Sequence, residues 1–577
     1  MIYSKQRAFL DLNGEWKFCM DPNGIKSDDI TAESSSVAWR PVDIPCDIAH
    51  ACPEQPDYIG PCWFRKKFDM PENMRGKRVV IRFEAVNYIA AVFLNGKFIG
   101  RSIHGFLPFE FDITKHILSD SPNILLVMTD HRRKYGEIPT YFGWKNAGGI
   151  IRDVLIYITD ETYIERARIQ TELSGETNIT VDITGSISPD MQLKIELIES
   201  STGKQKAEGI YNAQKNQTIK FWPDKIEFWS PEIPNLYICK LSLAGKNTYD
   251  CVETVYGYRR LEVKNGQFYL NGAPYFLKGY NYHEDNCKTG GAVCREIQES
   301  DLRVMKESGA NFIRSHYPHD RRVMELADEL GFIWMAEIPL NALFLHGFSV
   351  PAGANANEAR LNQAFHNAKE MLSMLLERDW NHPCVCFWSV SNESNELEIR
   401  VNDINDALLQ YVKALDPGRL CAHVSMGGMF TQENIDRIYR YDDVICVNCY
   451  PIIGKRQHAR DFGRDLSGVR QSWRDTIEWI KSHYLEKPVI VTEFGYVTDR
   501  PYDGIISEDI QCECIEAEYK IIREYAQGAA LWVYADHPWP PEIVSEGYDL
   551  STYGLFRRDR TPKKAYETYK KLLKEEN

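Results

Sequence analysis

Val385-Cys-Phe-Trp-Ser-Val-Ser-Asn-Glu393-Ser394 and, further along, Lys487-Pro-Val-Ile-Val-Thr-Glu493-Phe-Gly-Tyr496 decide the fold. Each is a short run of Val, Ile and aromatic residues with a proline just upstream and polar residues just downstream. An unbroken apolar run of this length is what a strand buried on both faces requires, as in a parallel sheet. A glutamate at the C-terminal end of such a strand stands on the rim where a (β/α)8 barrel carries its chemistry. Two carboxylates on one rim are the minimum equipment for cleaving a glycosidic bond.

Around these two runs, apolar strands and amphipathic helices alternate from residue 259 to residue 577. Helical spacing predicts helices over Ile297–Ser308, Arg321–Leu330, Leu361–Arg378, Asn402–Leu415, Gln471–His483 and Glu508–Ala526. The strands between them are read as Tyr275–Leu277, Phe312–Arg314, Ile333–Ala336, Val385–Ser389, Ala422–Val424, Val444–Val447, Val489–Thr492 and Ala529–Val533. Eight strands alternating with helices make one closed TIM barrel.

Upstream the period changes to that of exposed sheets. Residues 1–160 carry short alternating runs such as Val79–Val86 and Ala90–Leu94, broken by turn signals. Asn95-Gly96, between Phe93-Leu94 and Lys97-Phe98-Ile99, is a hairpin signal, because a type I′ turn needs positive φ at both central positions. The segment reads as a jelly-roll β-sandwich. Residues 161–258 alternate again, in Thr177–Thr184 and Gln192–Ile198, and suit a smaller immunoglobulin-like sandwich. Phe228-Trp-Ser-Pro-Glu-Ile-Pro-Asn-Leu-Tyr237 holds too much proline for an inner strand and is expected to cross between sheets.

Composition excludes several function classes. At 577 residues the chain exceeds one core, and 44% hydrophobic with 26% charged residues marks globular domains. A net charge of −14 argues against nucleic acid or an anionic membrane as partner. No run approaches a membrane span, and Met1-Ile-Tyr-Ser-Lys-Gln-Arg leads into Leu10-Asp-Leu-Asn-Gly-Glu-Trp16 without a signal-peptide apolar core. The 15 cysteines are odd in number and scattered. Cys384/Cys386 and Cys512/Cys514 lack a second pair at zinc spacing, so reduced buried thiols and a cytoplasmic location are expected. There is no phosphate loop or dinucleotide fingerprint.

The remaining polar residues of interest fall at the ends of the expected barrel strands. They are His283 and Glu284 after the first, Arg314, His316 and Tyr317 after the second, Glu337 at the third, and Asn392 with Glu393 at the fourth. Asn448 and Tyr450 end the sixth, Glu493 the seventh, and Trp532, Asp536 and His537 the eighth. A lone histidine in a barrel is ordinarily a structural hydrogen bonder, and a lone strand-end glutamate ordinarily pairs with an arginine. The convergence of so many on one rim separates this chain from that ordinary case. Carboxyl groups ~5–5.5 Å apart would serve a retaining glycosidase and ~6.5–9.5 Å an inverting one, a choice the spacing in sequence leaves open.

Leu12-Asn-Gly-Glu-Trp16, Phe93-Leu-Asn-Gly96, Trp229-Ser-Pro-Glu-Ile-Pro-Asn-Leu-Tyr237, Arg314-Ser-His-Tyr-Pro318, Asn392-Glu393 and Thr492-Glu493-Phe-Gly495 together resemble glycoside hydrolase family 2 over nearly the whole chain. This is the family of β-galactosidases, β-glucuronidases and β-mannosidases. The resemblance implies a retaining exo-β-glycosidase with Glu393 as general acid/base and Glu493 as nucleophile. It also implies that Asn392 binds the sugar 2-hydroxyl, that Tyr450 orients the nucleophile, and that His283, His316 and Trp532 line the pocket for the cleaved sugar. The N-terminal sandwich becomes a sugar-binding-like module that reaches toward the barrel rim, and a dimer or tetramer is expected.

The sugar is less plain. His283-Glu-Asp285 and Gly554-Leu-Phe-Arg-Arg-Asp-Arg-Thr-Pro-Lys563 are similar to β-glucuronidases, yet Ser551-Thr552-Tyr553 stands where those carry the Asn-x-Lys that binds the uronate carboxylate. Arg557 or Arg558 could substitute, but surface charges are the simpler reading. A β-galactoside is therefore expected first, with a glucuronide or galacturonide second. Some relatives hold magnesium near the acid/base; no Glu-x-His follows Glu337 before His346, and no cofactor or metal is expected. A non-catalytic carbohydrate-binding barrel would have lost a carboxylate, and both are kept. A metal-dependent hydrolase would need His-x-His after the first strand, which Asn281-Tyr-His-Glu284 does not supply.

Overall fold

The computed structural model describes residues 6–21, 37–72, 76–132, 143–343, 358–427, 431–450, 467–498, 507–540 and 550–575, with Asn23, Gly24, Ile30 and Ile138 singly. His346 lies outside them. Three bodies of structure follow in chain order. The first is two antiparallel sheets face to face. One has six strands in the order Arg40–Ile44, Gly14–Met20, Pro61–Phe68, Asn123–Asp130, Ile89–Leu94, Lys97–Ser102. The other has four, Phe9–Asp11, Val154–Thr159, Arg78–Phe83, Phe109–Asp112. Alternate residues Val79, Ile81 and Phe83 meet Phe64, Val92 and Val127 between the layers, which is why the pattern has period two. Asn95 and Gly96 adopt φ of 52° and 78° and close the hairpin that their sequence announces.

The second sandwich pairs Tyr163–Thr171, Thr177–Thr184 and Gln217–Phe221 against Gln205–Asn212, Gln192–Glu199, Tyr237–Gly245 and Thr248–Tyr256. Its core is Ile179, Val181, Ile183, Leu193, Ile195 and Leu197. Between Phe221 and Tyr237 no strand forms. Trp229 is instead fully buried and donates its Nε1–H to the carbonyl of Asp328, fastening this sandwich to the third body.

That third body is a closed eight-stranded parallel barrel. Its strands are β1 (Leu277–Asn281), β2 (Phe312–Arg314), β3 (Ile333–Glu337), β4 (Val385–Asn392), β5 (Leu420–Met426), β6 (Ile445–Asn448), β7 (Val489–Phe494) and β8 (Gly528–Leu531). The helices after them are α1 (Arg295–Glu307), α2 (Arg321–Leu330), α3 (Glu358–Asp379), α4 (Ile399–Leu415), α5 (Ile435–Ile438), α6 (Ser467–His483), α7 (Glu508–Tyr525) and α8 (Lys564–Lys574). Except for Met426, every strand residue is buried, as the unbroken apolar runs require. Strand β1 begins later than expected. Tyr275 donates its N–H to Phe268 in a small sheet formed by Leu261–Lys264, Gln267–Leu270 and Ala273–Pro274. Phe268 from that sheet meets Phe387 edge-on at the N-terminal end of the barrel. The short α5 and the C-terminal α8 were not read from spacing.

Arg152 joins the first sandwich to the barrel. Its guanidinium is almost sealed from solvent and donates to Glu284 Oε2 (2.8 Å), to the Pro318 carbonyl (2.7 Å) and to the Phe106 carbonyl (2.7 Å). Ala85, Phe106, Trp144, Ala147 and Ile151 of the sandwich share a core with Ala292 and Tyr317 of the barrel. The rim of the barrel is thereby walled by another module.

Candidate active site

Arg314, the last residue of β2, organises the rim. It is inaccessible to solvent and bonds Glu493 Oε1 (2.8 Å), Glu337 Oε2 (2.9 Å) and Asn392 Oδ1 (2.7 Å). Its planar fork of donors suits several acceptors held in fixed directions, which a lysine could not match. Glu337 receives a further bond from Ser389 Oγ (2.7 Å). Glu493 is also bonded by Tyr450 Oη on its other oxygen (2.7 Å) and by His316 Nε2 (2.9 Å). Burial, then Arg314 and His537, hold the His316 imidazole well below its ordinary pKa. The ring is neutral, so Nε2–H donates to the carboxylate.

Glu393 follows β4 in a left-handed backbone conformation, φ 47°, that a side chain rarely adopts. Its N–H is held by the Val424 carbonyl (2.8 Å), and its Oε1 accepts from Asn448 Nδ2 (3.0 Å). Asn448 also donates to Asn392 Oδ1 (3.0 Å) and accepts from Thr492 Oγ1 (2.8 Å). One hydrogen-bond network therefore runs from Glu393 through Asn448, Asn392 and Arg314 to Glu493.

The two carboxyls differ in surroundings. Burial and then the charge of Glu493, with Glu337 adding to it, push Glu393 up to about 8 against the opposing effects of Asn448 and Arg314. Burial raises Glu493 too, but Arg314 and the Tyr450 hydroxyl work against it. The environment thus favours a protonated Glu393 beside an ionised Glu493.

A wall of rings stands over this network. His283, His316, Trp532 and His537 touch one another, with His283 and His537 centroids 4.7 Å apart and His316 and Trp532 4.9 Å apart. Trp144, from the first sandwich, closes the wall against His283 (5.2 Å) and His316 (5.6 Å). Trp144 Nε1, His283 Nε2, His316 Nδ1 and His537 Nδ1 are buried donors or acceptors without a protein partner. They are the polar atoms a bound sugar would satisfy. Sequence reading missed Trp144 because it lies in a connecting segment of a different module. It also left Glu337 out of the site, although its place at a strand end was visible.

Other candidates are committed elsewhere. Asp536 accepts from Lys563 Nζ (2.8 Å) and from the Gly554 N–H (2.9 Å), so it anchors the rim segment after β8. Glu284 belongs to the Arg152 junction. Arg557 pairs with Glu508 and Arg558 bidentately with Asp285, so each cation already faces a carboxylate. Tyr553 sets its ring edge-on to Tyr450 at 5.8 Å.

Among the described residues, one trio could approach a metal: Asp328, His382 and Cys384, near the start of β4 and away from the rim. Asp328 already accepts from His382 Nδ1 (2.5 Å) and from the Cys384 N–H (2.9 Å). Burial and that carboxylate push the Cys384 thiol well up, which disfavours the thiolate a metal needs. The trio reads as a hydrogen-bonded strand end. All 15 cysteines are unpaired.

A barrel rim with two buried glutamates, one held protonated and one beside an arginine, under a wall of aromatic rings, is the site of a glycoside hydrolase. Residues 9–160 match the glycosyl hydrolases family 2 sugar binding domain, 162–259 the model described as glycosyl hydrolases family 2, and 261–576 the family's TIM barrel domain. The chain belongs to glycosyl hydrolases family 2, whose hydrolysis proceeds by a retaining double displacement.

A β-glucuronidase of Streptococcus agalactiae serotype V is 25% identical over 607 residues, covering 99% of this chain and 97% of its own. The structure of an uncultured Clostridium sp. β-glucuronidase superposes with a TM-score of 0.85 at 26% identity, over 100% of this chain and 99% of that one. A β-galactosidase of Thermoanaerobacter pseudethanolicus is 29% identical, but the match spans 78% of this chain and 57% of that protein. These relatives overturn the expectation of a β-galactoside: the full-length likeness is to β-glucuronidases. That expectation rested on the missing Asn-x-Lys alone, a local feature that the similarity of the whole chain outweighs.

Proposed function

We propose that the chain is an exo-acting β-glucuronidase, or more broadly a hydrolase of β-linked uronic acid glycosides. The observation that carries the chemistry is the Glu393–Asn448–Asn392–Arg314–Glu493 network; the full-length relatives support the sugar. In the first step a Glu493 oxygen forms a bond to the anomeric carbon while Glu393 gives its proton to the departing glycosidic oxygen. In the second, Glu393 takes a proton from water as the water oxygen displaces Glu493. Tyr450, His316 and Arg314 orient Glu493 and stabilise its charge before attack and as it leaves. Asn392 and Asn448 are placed for the sugar 2-hydroxyl, and His283, His537, Trp532 and Trp144 form the walls of the sugar pocket. Asp536 and Lys563 hold the Ser551–Tyr553 segment in place, Lys563 Nζ donating to Asp536 Oδ1 and to the Thr552 carbonyl.

Arg557 and Arg558 each already face a carboxylate, so the uronate carboxylate is assigned to neutral donors instead of a dedicated lysine. The panel that tests this is nitrophenyl β-glucuronide, galacturonide, glucoside, galactoside, mannoside and arabinoside at several pH values. Turnover of uronides at least about tenfold above their neutral counterparts, a difference of ~1.4 kcal/mol, is expected. Higher turnover of a neutral sugar would reject the assignment. The unpaired cysteines support a reducing compartment, and the family resemblance supports a homo-oligomer, which light scattering on the purified chain decides.

A further inference from the structure

Beneath the Glu393 loop lies a sealed polar cluster that the reaction above does not use. Glu396, three residues past Glu393, is inaccessible to solvent, and its carboxylate faces the Ser425 hydroxyl and the His423 ring, whose Nε2 lies 3.9 Å from Oε1. His423 in β5 is likewise sealed. Its Nδ1–H and its backbone N–H both donate to Asp442 Oδ1 (2.9 and 2.6 Å), and its Nε2 meets Ser425 Oγ at 3.0 Å. The Tyr439 ring stacks on it at 5.3 Å. Residues 423 and 425 flank Val424, whose carbonyl holds the Glu393 N–H. On the other side, Asn402 Nδ2 in α4 donates to the Glu396 carbonyl (2.8 Å). The cluster therefore grips both the loop after Glu393 and the strand carbonyl that fixes Glu393 itself. A left-handed glutamate persists only where its surroundings over-determine it, and this cluster is what surrounds it.

We propose that Glu396, facing the His423–Asp442 pair and held through its carbonyl by Asn402, is a positioning residue that aims the Glu393 carboxyl at the leaving-group oxygen. The inference rests on the reading of Glu393 as acid/base. Charge supports it. Burial disfavours the His423 imidazolium, but Asp442, Glu396 and Asp406 outweigh this and raise its pKa. Burial pushes Glu396 up to about 8 despite His423 and the Ser425 hydroxyl, and Glu393 and Asp442 push the same way. Asp406, on α4, faces Asp442 and His423 and, beyond them, Arg437 and Arg440.

The test is kcat/KM across aryl β-glycosides of graded leaving-group acidity, on whichever sugar is turned over, for the wild type, Glu396→Gln, Glu396→Ala and Asp442→Asn, with Glu393→Gln as control. A displaced acid hurts poor leaving groups selectively. Glu396→Ala is expected to lose about 10- to 100-fold more on phenyl than on dinitrophenyl glycosides. Glu396→Gln, which keeps the shape, should recover most of that loss. Asp442→Asn should tilt the series the same way and serves if the Ala variant does not fold. An equal loss across leaving groups, or none, beside a steep series in Glu393→Gln would overturn this inference alone. A flat series in Glu393→Gln would overturn the acid/base reading and this inference with it.

Discussion

Replacing Arg314 by methionine should damage the barrel and its chemistry together, in a way that depends on pH. Methionine fills the volume of the arginine stem but leaves Glu337 and Glu493 without the cation that bonds both. Breaking a buried ion pair by removing one partner costs about 3–5 kcal/mol, because a desolvated charge is left behind. With about 2.1 cal/mol/K of unfolding entropy per residue over the roughly 315 residues of the barrel, that becomes a fall of about 5–8 °C in its Tm. The sign of the pH dependence follows. Without Arg314, both carboxyls take folded-state pKa values further above their unfolded ones than in the wild type. The stability penalty is then small below the unfolded carboxylate pKa and grows as pH rises toward the folded values. The gap between variant and wild type should widen from pH 5 to pH 8 by differential scanning calorimetry. Adding Glu337→Gln removes one stranded charge and should narrow it. Turnover at neutral pH should fall by several orders of magnitude, since the nucleophile loses the cation that orients it and favours its ionised form. A Tm within about 2 °C of wild type at pH 8, or a gap independent of pH, would refute the reasoning.

Glu493→Ala and Glu393→Ala should each lower aryl glycosidase turnover by several orders of magnitude with unchanged circular dichroism; near-wild-type rates in either reject the roles assigned. Because Glu393 must be protonated to act and burial beside Glu493 pushes it up to about 8, kcat/KM should decline as pH rises through that region. An alkaline limb below pH 6 would contradict this cause. Trp144→Phe keeps a ring but deletes the Nε1–H donor. It should raise KM for the glycoside by about 3- to 10-fold, the worth of one hydrogen bond, with kcat changed less. Arg152→Met strands Glu284 at the junction of sandwich and barrel; limited proteolysis should then cut between residues 143 and 152 faster than in the wild type, and an unchanged rate would show the junction to be held by its apolar core alone.

Much of this was legible in the chain because burial on both faces leaves a plain mark. The runs ending at Glu393 and Glu493 had no polar residue to spare until the rim, and the rim is where polarity returned. The same logic failed at β1. Tyr275 looks like a strand residue, but its backbone closes the small sheet under the barrel, and nothing in an isolated run of apolar residues distinguishes the two. Asp536 and Glu284 show the reverse difficulty. Both are strand-end carboxylates like Glu493, and only their spatial partners, Lys563 and Arg152, tell them apart. Trp144 was invisible for a third reason. Its importance comes from a contact made across two modules, which no local pattern can encode.

The composite wall that Trp144 completes has an evolutionary corollary. The two glutamates assigned to the chemistry sit in β7 and directly after β4, buried among barrel neighbours, whereas one face of the proposed sugar chamber is lent by a connector on a separate sandwich. Substitutions in that connector can retune which glycoside is accepted while the bond-breaking centre is left untouched. The barrel excised alone would keep both glutamates and lose the shape that selects their substrate.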